Sequence, residues 1–179
     1  MSNIECGTLI LNTVDLGSIV IPSTIGYSNA SLTQNTWTNV NLRDVIGDSM
    51  YRKYDTFNII LIENIQTVMP STTTFPTAND KICLIYMGGL NFINNTYSAV
   101  GKNQTGQACI GFLQASAMST TVGIAQQYFN NYNTFTKNSQ TVDLTITYRR
   151  VSDGLTAQTT VSTFPEQSFI FKIYGIPKE

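Results

Sequence analysis

Short segments in which apolar and polar residues alternate constrain this chain's fold more than any other feature. The clearest example is the segment 141–149, in which every second residue is apolar: Val142, Leu144, Ile146 and Tyr148. Side chains along a β-strand point alternately to opposite faces, so a period of two predicts a strand with one buried face and one wet face. We therefore expect β-structure through most of the chain.

Several other segments read as strands. Segment 168–174 places Phe169, Phe171 and Ile173 on one face, while its second face is half apolar. The runs 57–62 and 82–87 are apolar on both faces. Such strands lie centrally in a sheet, covered on each side by another layer of the fold or by another subunit. Further strands are predicted at 8–14, 18–21, 36–42, 108–114 and 128–135.

Helix is scarce in this sequence. Segment 41–47 predicts one short helical turn that ends at a glycine, with Leu42, Val45 and Ile46 facing inward. A second short helix is predicted around 122–127. Turn signals separate the strands, among them Gly88-Gly89 and Asp153-Gly154, and the latter predicts a hairpin.

The length of the chain bounds its architecture. With 179 residues it fits a single domain over 1–179 and should bury about 70% of the surface that its unfolded form exposes. About eight short strands in one such unit predict an all-β sandwich or closed barrel.

The charge content is low and limits the choice of partner. Charged residues make up 12% of the chain, against ~25% in typical soluble domains, and the net charge is -1. Interface cores are depleted in charge, so this composition suits a protein that buries much of its exterior against copies of itself. A polar, uncharged extracellular domain is the alternative. A near-neutral chain has no long-range attraction to phosphate backbones, so we do not expect a nucleic-acid partner.

The cysteines and the N-terminus point to a reducing compartment. Cys6, Cys83 and Cys109 are odd in number and widely spaced, which argues against a disulfide framework. The N-terminal residues lack the basic and apolar regions of a secretory signal, and no apolar stretch approaches the ~18 residues of a membrane helix. We expect a cytosolic chain without a membrane span, in which the sequons at Asn29, Asn94 and Asn103 arise by chance.

The absence of histidine is the strongest constraint on chemistry. It excludes Ser-His-Asp and Cys-His catalysis and imidazole metal ligation. Asp44 and Asp48 are the closest pair of carboxylates, and an i,i+4 pair on a helical turn is typical of a solvated surface. Gly88-Gly89 lacks the third glycine and the lysine of phosphate-binding loops. We therefore expect no catalytic, metal-binding or cofactor-binding residues, no cofactor, and no enzymatic activity.

Three features could instead make contacts with a partner. Segment 128–133 mixes aromatic residues with amides, as contact loops do, or else its aromatic residues alternate into a core. Trp37 has the pattern of an inward strand residue, with a partner-facing anchor as the alternative. Arg149 either continues a wet strand face, with Arg150 beginning a turn, or packs against acidic residues of a neighbouring subunit.

Three segments together resemble a known group of proteins. They are 51–61 (YRKYDTFNIIL), 85–92 (IYMGGLNF) and 169–176 (FIFKIYGI). Their order and spacing resemble the single jelly-roll capsid proteins of large icosahedral double-stranded DNA viruses, a group that includes penton and minor capsid proteins. The shared features are strand signatures and contain no catalytic motif.

The resemblance implies a fold and a role. The fold would be a single jelly-roll sandwich of two four-stranded antiparallel sheets, with one or two short helices in loops. Five copies of such a domain would close a vertex as a penton, or the domain would cement neighbouring capsomers as a minor capsid protein. Its partners would be copies of itself, the major capsid protein and other minor capsid proteins. The chain would be assembled in the host cytoplasm and reside in the virion.

Two alternatives stay open on the sequence. The less favoured one is an enzyme that uses carboxylates alone, which would require two acids converging in a pocket. The other is a binding module. A lectin-like or tumour-necrosis-factor-like β-sandwich would recognise a glycan or a protein, through segment 128–132 or through segment 71–74.

Overall fold

The computed structural model of the chain describes residues 3–12, 26–31, 34–66, 82–93, 107–115, 125–127, 132–150 and 167–178. Eleven strands and two short helices lie in these ranges. The strands are β1 (Ile4–Asn12), β2 (Gly26–Ser31), β3 (Gln34–Asn41), β4 (Thr56–Gln66), β5 (Ile82–Gly88), β6 (Asn91–Phe92), β7 (Gln107–Ala115), β8 (Ala125–Gln127), β9 (Asn133–Thr136), β10 (Thr141–Arg150) and β11 (Gln167–Gly175). The helices are α1 (Leu42–Ile46) and α2 (Asp48–Lys53).

The strands form two antiparallel sheets. One sheet has five strands in the order β1-β11-β4-β9-β6, and the other has six in the order β2-β3-β10-β5-β7-β8. The short strands β2, β6 and β8 lie at edges. Without them, two four-stranded sheets remain, β1-β11-β4-β9 and β3-β10-β5-β7. Counted along the chain, these eight strands are ordered 1-8-3-6 and 2-7-4-5, which is the strand order of a jelly roll. The predicted all-β sandwich is confirmed, and the short edge strands β2, β6 and β8 enlarge the two predicted four-stranded sheets to five and six strands.

The core lies between the sheets and is filled by alternate residues of each strand. The five-stranded sheet contributes Phe57, Ile59 and Leu61 from β4 and Phe169, Phe171 and Ile173 from β11. The six-stranded sheet contributes Val142, Leu144 and Ile146 from β10 and Ile85 and Met87 from β5. All of these side chains are buried. The period of two in segments 141–149 and 168–174 therefore separates core from outer face, as the sequence predicts.

Trp37 joins the two layers. Its side chain, on β3 of the six-stranded sheet, is fully buried and meets Phe169 of the other sheet edge-to-face, with ring centroids 6.2 Å apart. Its Nε1–H donates to the backbone oxygen of Asn12 on β1, at 2.8 Å. A buried indole N–H that lacked an acceptor would cost about 1–3 kcal/mol, so this bond lets the ring lie in the core. Of the two interpretations of Trp37, the inward strand residue is confirmed.

The predicted strand positions agree with the observed strands within a few residues at each end. The exceptions concern ranges that the structure leaves partly or wholly undescribed: segment 18–21 and residues 128–131 lie outside the described residues, as does Asp153-Gly154. The two segments that are apolar on both faces form β4 and β5, and each has strand neighbours on both sides, as predicted.

The helices follow the sequence signals only in part. α1 forms where predicted: Leu42 and Ile46 are buried, Val45 is half-buried against the core, and the Asn41 side chain accepts a hydrogen bond from the Arg43 N–H. Gly47 ends it with φ at 88°. The sequence did not predict α2, which contains no fully buried residue.

The prediction of a helix around 122–127 is wrong for residues 125–127. Residues 125–127 form strand β8 and pair with β7, with Ala125 opposite Ala115. The open edge of β7 offers backbone hydrogen-bond partners to this short segment, and such pairing outweighs a weak local helix preference. Residues 122–124 lie outside the described residues.

Two glycines give a matched test of the packing at the turns. Gly47 and Gly89 both have positive φ, 88° and 97°. A Cβ on Gly47 would meet nothing within 4 Å, whereas a Cβ on Gly89 would overlap the carbonyl oxygen of Asp143 on β10. We expect Gly47→Ala to lower the free energy of unfolding by about 1 kcal/mol through backbone strain. Gly89→Ala should lower it by about 3 kcal/mol or more, because steric overlap adds to the strain.

Denaturant titration measures the free energy of unfolding of both variants, with the fluorescence of the single, buried tryptophan as the signal. Equal losses of stability in the two variants would contradict the close contact between Gly89 and β10.

Candidate functional site

The carboxylates of α1 and α2 lie at the protein surface. Asp48, the first residue of α2, binds the guanidinium of Arg43 and also that of Arg52, the latter at 3.1 Å. The hydrogen bond from Arg43 lowers the pKa of Asp48 and raises that of Arg43. Asp44 is exposed on α1, and Gly47 separates the two helices. The predicted solvated surface is confirmed for this pair, since Asp48 is held ionised by arginines and is exposed.

A second ion-pair cluster lies where the C-terminal segment passes the start of β4. Asp55 binds Lys137 at 3.2 Å and Lys178 at 2.5 Å. The hydrogen bond from Lys178, followed by that from Lys137, lowers the pKa of the Asp55 carboxyl. Lys137 also donates to the backbone oxygen of Tyr51 and lies 5.0 Å from the centre of its ring. The cluster joins α2, β4, the β9–β10 turn and the C-terminal segment.

The remaining described acids show no convergence on a cleft. Glu5 pairs with Lys172 across β1 and β11, and Asp143 accepts a hydrogen bond from the Asn39 N–H at 2.9 Å. Glu63 is exposed on β4. Among the described residues, no group of three or more His, Cys, Asp or Glu side chains could hold a metal ion. Asp80, Asp153 and Glu166 lie outside the described ranges.

The two thiols that the structure describes are poorly suited to nucleophilic chemistry. Burial raises the pKa of Cys6 and that of Cys109. Since the thiolate is the nucleophile and metal ligand, a raised pKa lowers the reactive fraction at neutral pH. Cys83 lies on β5, opposite Leu113 of β7.

The described outer face of the six-stranded sheet holds buried polar side chains at its centre. Tyr86 and Thr147 are register neighbours on β5 and β10, and each is only 2% exposed. The guanidinium of Arg149 lies 5.6 Å from the centre of the Tyr86 ring, and its Nη2–H donates to Gln107 at 3.4 Å. Burial raises the pKa of Tyr86, with a smaller upward effect of Cys109, while Arg149 lowers it.

Arg149 therefore packs on its own chain, and the position of Arg150 corrects an expectation. β10 continues through Arg150, which pairs with Cys83, so Arg150 does not begin a turn. Pairing with β5 extends the strand two residues beyond the last alternating apolar position.

The outer face of the five-stranded sheet has a different character. Ile10 of β1 lies opposite Ile170 of β11, and Ile60 of β4 lies opposite Lys172 of β11. Ile62 lies at a β-bulge in β4, between the pairs of Ile170 and Phe171. Ile10 is 46% exposed and Ile62 is 50% exposed, while Ile60 and Ile170 are half-buried. We call these four side chains the isoleucine face.

Two tyrosines contact each other beside this sheet, near the C-terminal end of β11. Tyr132 precedes β9, is 46% exposed, and meets Tyr174 of β11 edge-to-face with ring centroids 5.7 Å apart. Tyr132 belongs to the segment 128–133 that mixes aromatic residues with amides, and the other aromatic residues of that segment lie outside the described residues. Tyr132 itself does not enter the core.

Analysis of the sequence did not single out the isoleucine face as a site. Two signals in the sequence indicated it: the second face of segment 168–174 is half apolar, and segment 57–62 is apolar on both faces. A strand in a two-layer sandwich needs only one apolar face, so apolar residues on the second face require a further cover.

Comparison with known proteins yields no relative. The chain shows no significant match to a protein-family model, a curated protein or a solved structure. Neither helix within the described ranges is long and apolar enough to cross a membrane.

The Asp55 cluster predicts how stability depends on pH. The folded-state pKa of Asp55 lies below its unfolded value, so the ion pairs stabilise the fold above about pH 4, and this contribution disappears as the pH falls below that value. We expect Asp55→Asn to lower the melting temperature by a few degrees at most at pH 7. The melting temperatures of the variant and the wild type should become equal as the pH falls toward about 2.

Thermal melts followed by circular dichroism across this range measure the effect. Glu63→Gln makes the same change at an exposed carboxylate on β4 and serves as the matched control. A constant difference between Asp55→Asn and wild type at every pH would contradict the ion-pair explanation.

Proposed function

We propose that this chain is a structural subunit of an icosahedral viral capsid, a penton or minor capsid protein, which acts through contacts with copies of itself and with neighbouring capsomers. Its partners in this role are the major capsid protein and other minor capsid proteins. The proposal places the chain in the virion, after assembly in the host cytoplasm, and assigns it no catalytic activity.

The strand order is the observation that carries this proposal. The eight core strands follow the 1-8-3-6 and 2-7-4-5 arrangement, and the resemblance of segments 51–61, 85–92 and 169–176 implies the same fold. These three segments form α2 with the first half of β4, β5 with β6, and β11. They therefore supply elements of both sheets, and the resemblance concerns the framework of the domain.

Charge and surface character support assembly as the activity. A chain with 12% charged residues and net charge -1 does not repel its own copies at close range. The described acids form ion pairs with arginines and lysines of the same chain or lie exposed. Exposed apolar residues on an outer sheet face require a cover, which a neighbouring subunit would supply.

We expect the purified chain to form a five-membered ring. Its mass would be five times 19.8 kDa, about 99 kDa, because identical subunits joined by head-to-tail contacts close a ring when the rotation per subunit allows it. Multi-angle light scattering gives the mass and negative-stain electron microscopy gives the symmetry. A strictly monomeric chain at high concentration, absent from purified particles, would contradict the proposal.

A second function rests on the contact between exposed Tyr132 and half-buried Tyr174. Tyr132 and Tyr174 present an edge-to-face pair beside an amide-rich segment, and aromatic rings with nearby amides are typical of protein and glycan contact sites. On this alternative the chain is a β-sandwich binding module, lectin-like or tumour-necrosis-factor-like.

Glycan-array binding distinguishes the second function from the first. If the chain is a lectin-like module, Tyr132→Ala should lower binding about tenfold or more, because it removes the exposed ring and leaves the core intact. Thr141→Ala, at an exposed position of β10, is the control. An array on which the wild-type chain binds nothing would rule out the glycan-binding form of this alternative.

A further inference from the structure

A carboxylate lies within the isoleucine face. Glu63 of β4 is the register partner of Ile170 on β11, and Ile170 is the register partner of Ile10 on β1. The β-bulge in β4 places Glu63 next to Ile62, and both of these side chains are exposed. Directly opposed residues on neighbouring strands have Cβ atoms about 5 Å apart, so isoleucines border this carboxylate.

Glu63 gives the face a negative charge that no described residue matches in an ion pair. The other two charged side chains beside the face, Lys172 and Glu5, bind each other, so their charges cancel. A carboxylate that loses its water without gaining a positive partner is costly. Any chain that covers the isoleucine face must therefore supply a cation to Glu63.

The size of the face suits a short segment of a partner better than a folded domain. β1 and β11 have nine residues each and extend for about 30 Å at about 3.3 Å per residue. The three strands β1, β11 and β4, about 4.8 Å apart, give a width of about 14 Å and an area of about 430 Å². A standard interface between folded proteins buries roughly 800 Å² on each partner, about twice that area.

The same face of a second copy does not provide the complement. Two copies that met through this face would bring two Glu63 carboxylates into one interface, and like charges in an interface repel. A contact of a face with itself is also isologous, whereas the ring of the proposed function needs head-to-tail contacts. The complement to Glu63 is therefore sought on a different chain.

We propose that the isoleucine face, with Glu63, binds a short segment of another capsid protein in which a lysine or arginine lies among apolar residues. The basic side chain pairs with Glu63, and its apolar neighbours cover Ile10 and Ile62. This inference rests on the proposed function, because it assigns a surface to the contacts between the chain and its neighbours in a capsid.

Two synthetic peptides of nine residues test the chemistry of the site on the purified chain. The first is Ser-Ile-Ser-Ile-Lys-Ile-Ser-Ile-Ser, and the second has glutamate in place of the lysine. Fluorescence anisotropy of the labelled peptides measures binding. We expect the basic peptide to bind about tenfold or more tightly than the acidic one, because only the basic peptide can pair with Glu63.

Glu63→Gln should remove this preference for the basic peptide. Asp44→Asn, which removes the same charge from an exposed position on α1, should retain it and serves as the matched control. Circular dichroism confirms the fold of both variants. A wild-type chain that binds neither peptide, binds both equally, or keeps its preference in Glu63→Gln would overturn the assignment.

Carboxyl labelling identifies the source of the segment. Carbodiimide-activated labelling with glycine ethyl ester, read out by mass spectrometry, reports how accessible Glu63 is. We expect Glu63 to be labelled in the purified chain, alone or self-associated, and about tenfold less in the same chain within purified particles, because the segment covers it there.

The labelling pattern separates this assignment from the proposed function. Protection of Glu63 in the purified, self-associated chain would assign the face to a second copy, and full labelling in particles would leave it uncovered. Either result overturns the assignment while the presence of the chain in particles upholds the proposed function. A chain absent from purified particles would overturn the proposed function and the capsid origin of the segment, and the peptide titration would still decide the chemistry of the site.

Discussion

The contact between the two sheets is the constraint on which the rest of the structure depends. Each core strand turns every second side chain into the same narrow space, where Trp37 meets Phe169 and donates to the Asn12 oxygen on the opposite layer. A slip of one residue would exchange the core and outer faces of a strand. The pairing of β1, β4, β5 and β10 with their neighbours contains β-bulges. These irregularities accommodate extra residues while the large side chains remain between the layers.

The core requires apolar residues on only one face of each strand. The outer faces of the two sheets can therefore differ in composition. On the six-stranded sheet, the guanidinium of Arg149 lies over the Tyr86 ring and its Nη2–H donates to Gln107, so these three side chains pack on one another within the chain. On the five-stranded sheet, the Lys172–Glu5 pair is satisfied too, but Ile10 and Ile62 remain in contact with water. Among the described residues, the two outer faces therefore differ in how much apolar surface they leave exposed.

Much of the fold was predictable from local pattern, because alternation reports burial directly. The strands around Phe57, Leu144 and Phe171 and the helical turn before Gly47 were predicted in this way. The strand order was accessible only through the resemblance, since pairs such as Ile4 with Gly175 join residues far apart in the chain. α2 escaped prediction because no side chain in it is fully buried, so it shows no apolar stripe. The partners of Arg149 and of Asp55 depend on the same long-range pairing and could not be predicted.

The position of β11 has a consequence for biosynthesis. This strand lies between β1 and β4, and therefore fills a gap flanked by segments that leave the ribosome long before it does. Until β11 is synthesised, β1 has no β11 to pair with and β4 lacks its neighbour on that side. Nascent chains would hold two open strand edges near apolar side chains, a state prone to pairing with other chains. Closure of the five-stranded sheet therefore depends on pairing between residues far apart in the chain, which slows folding.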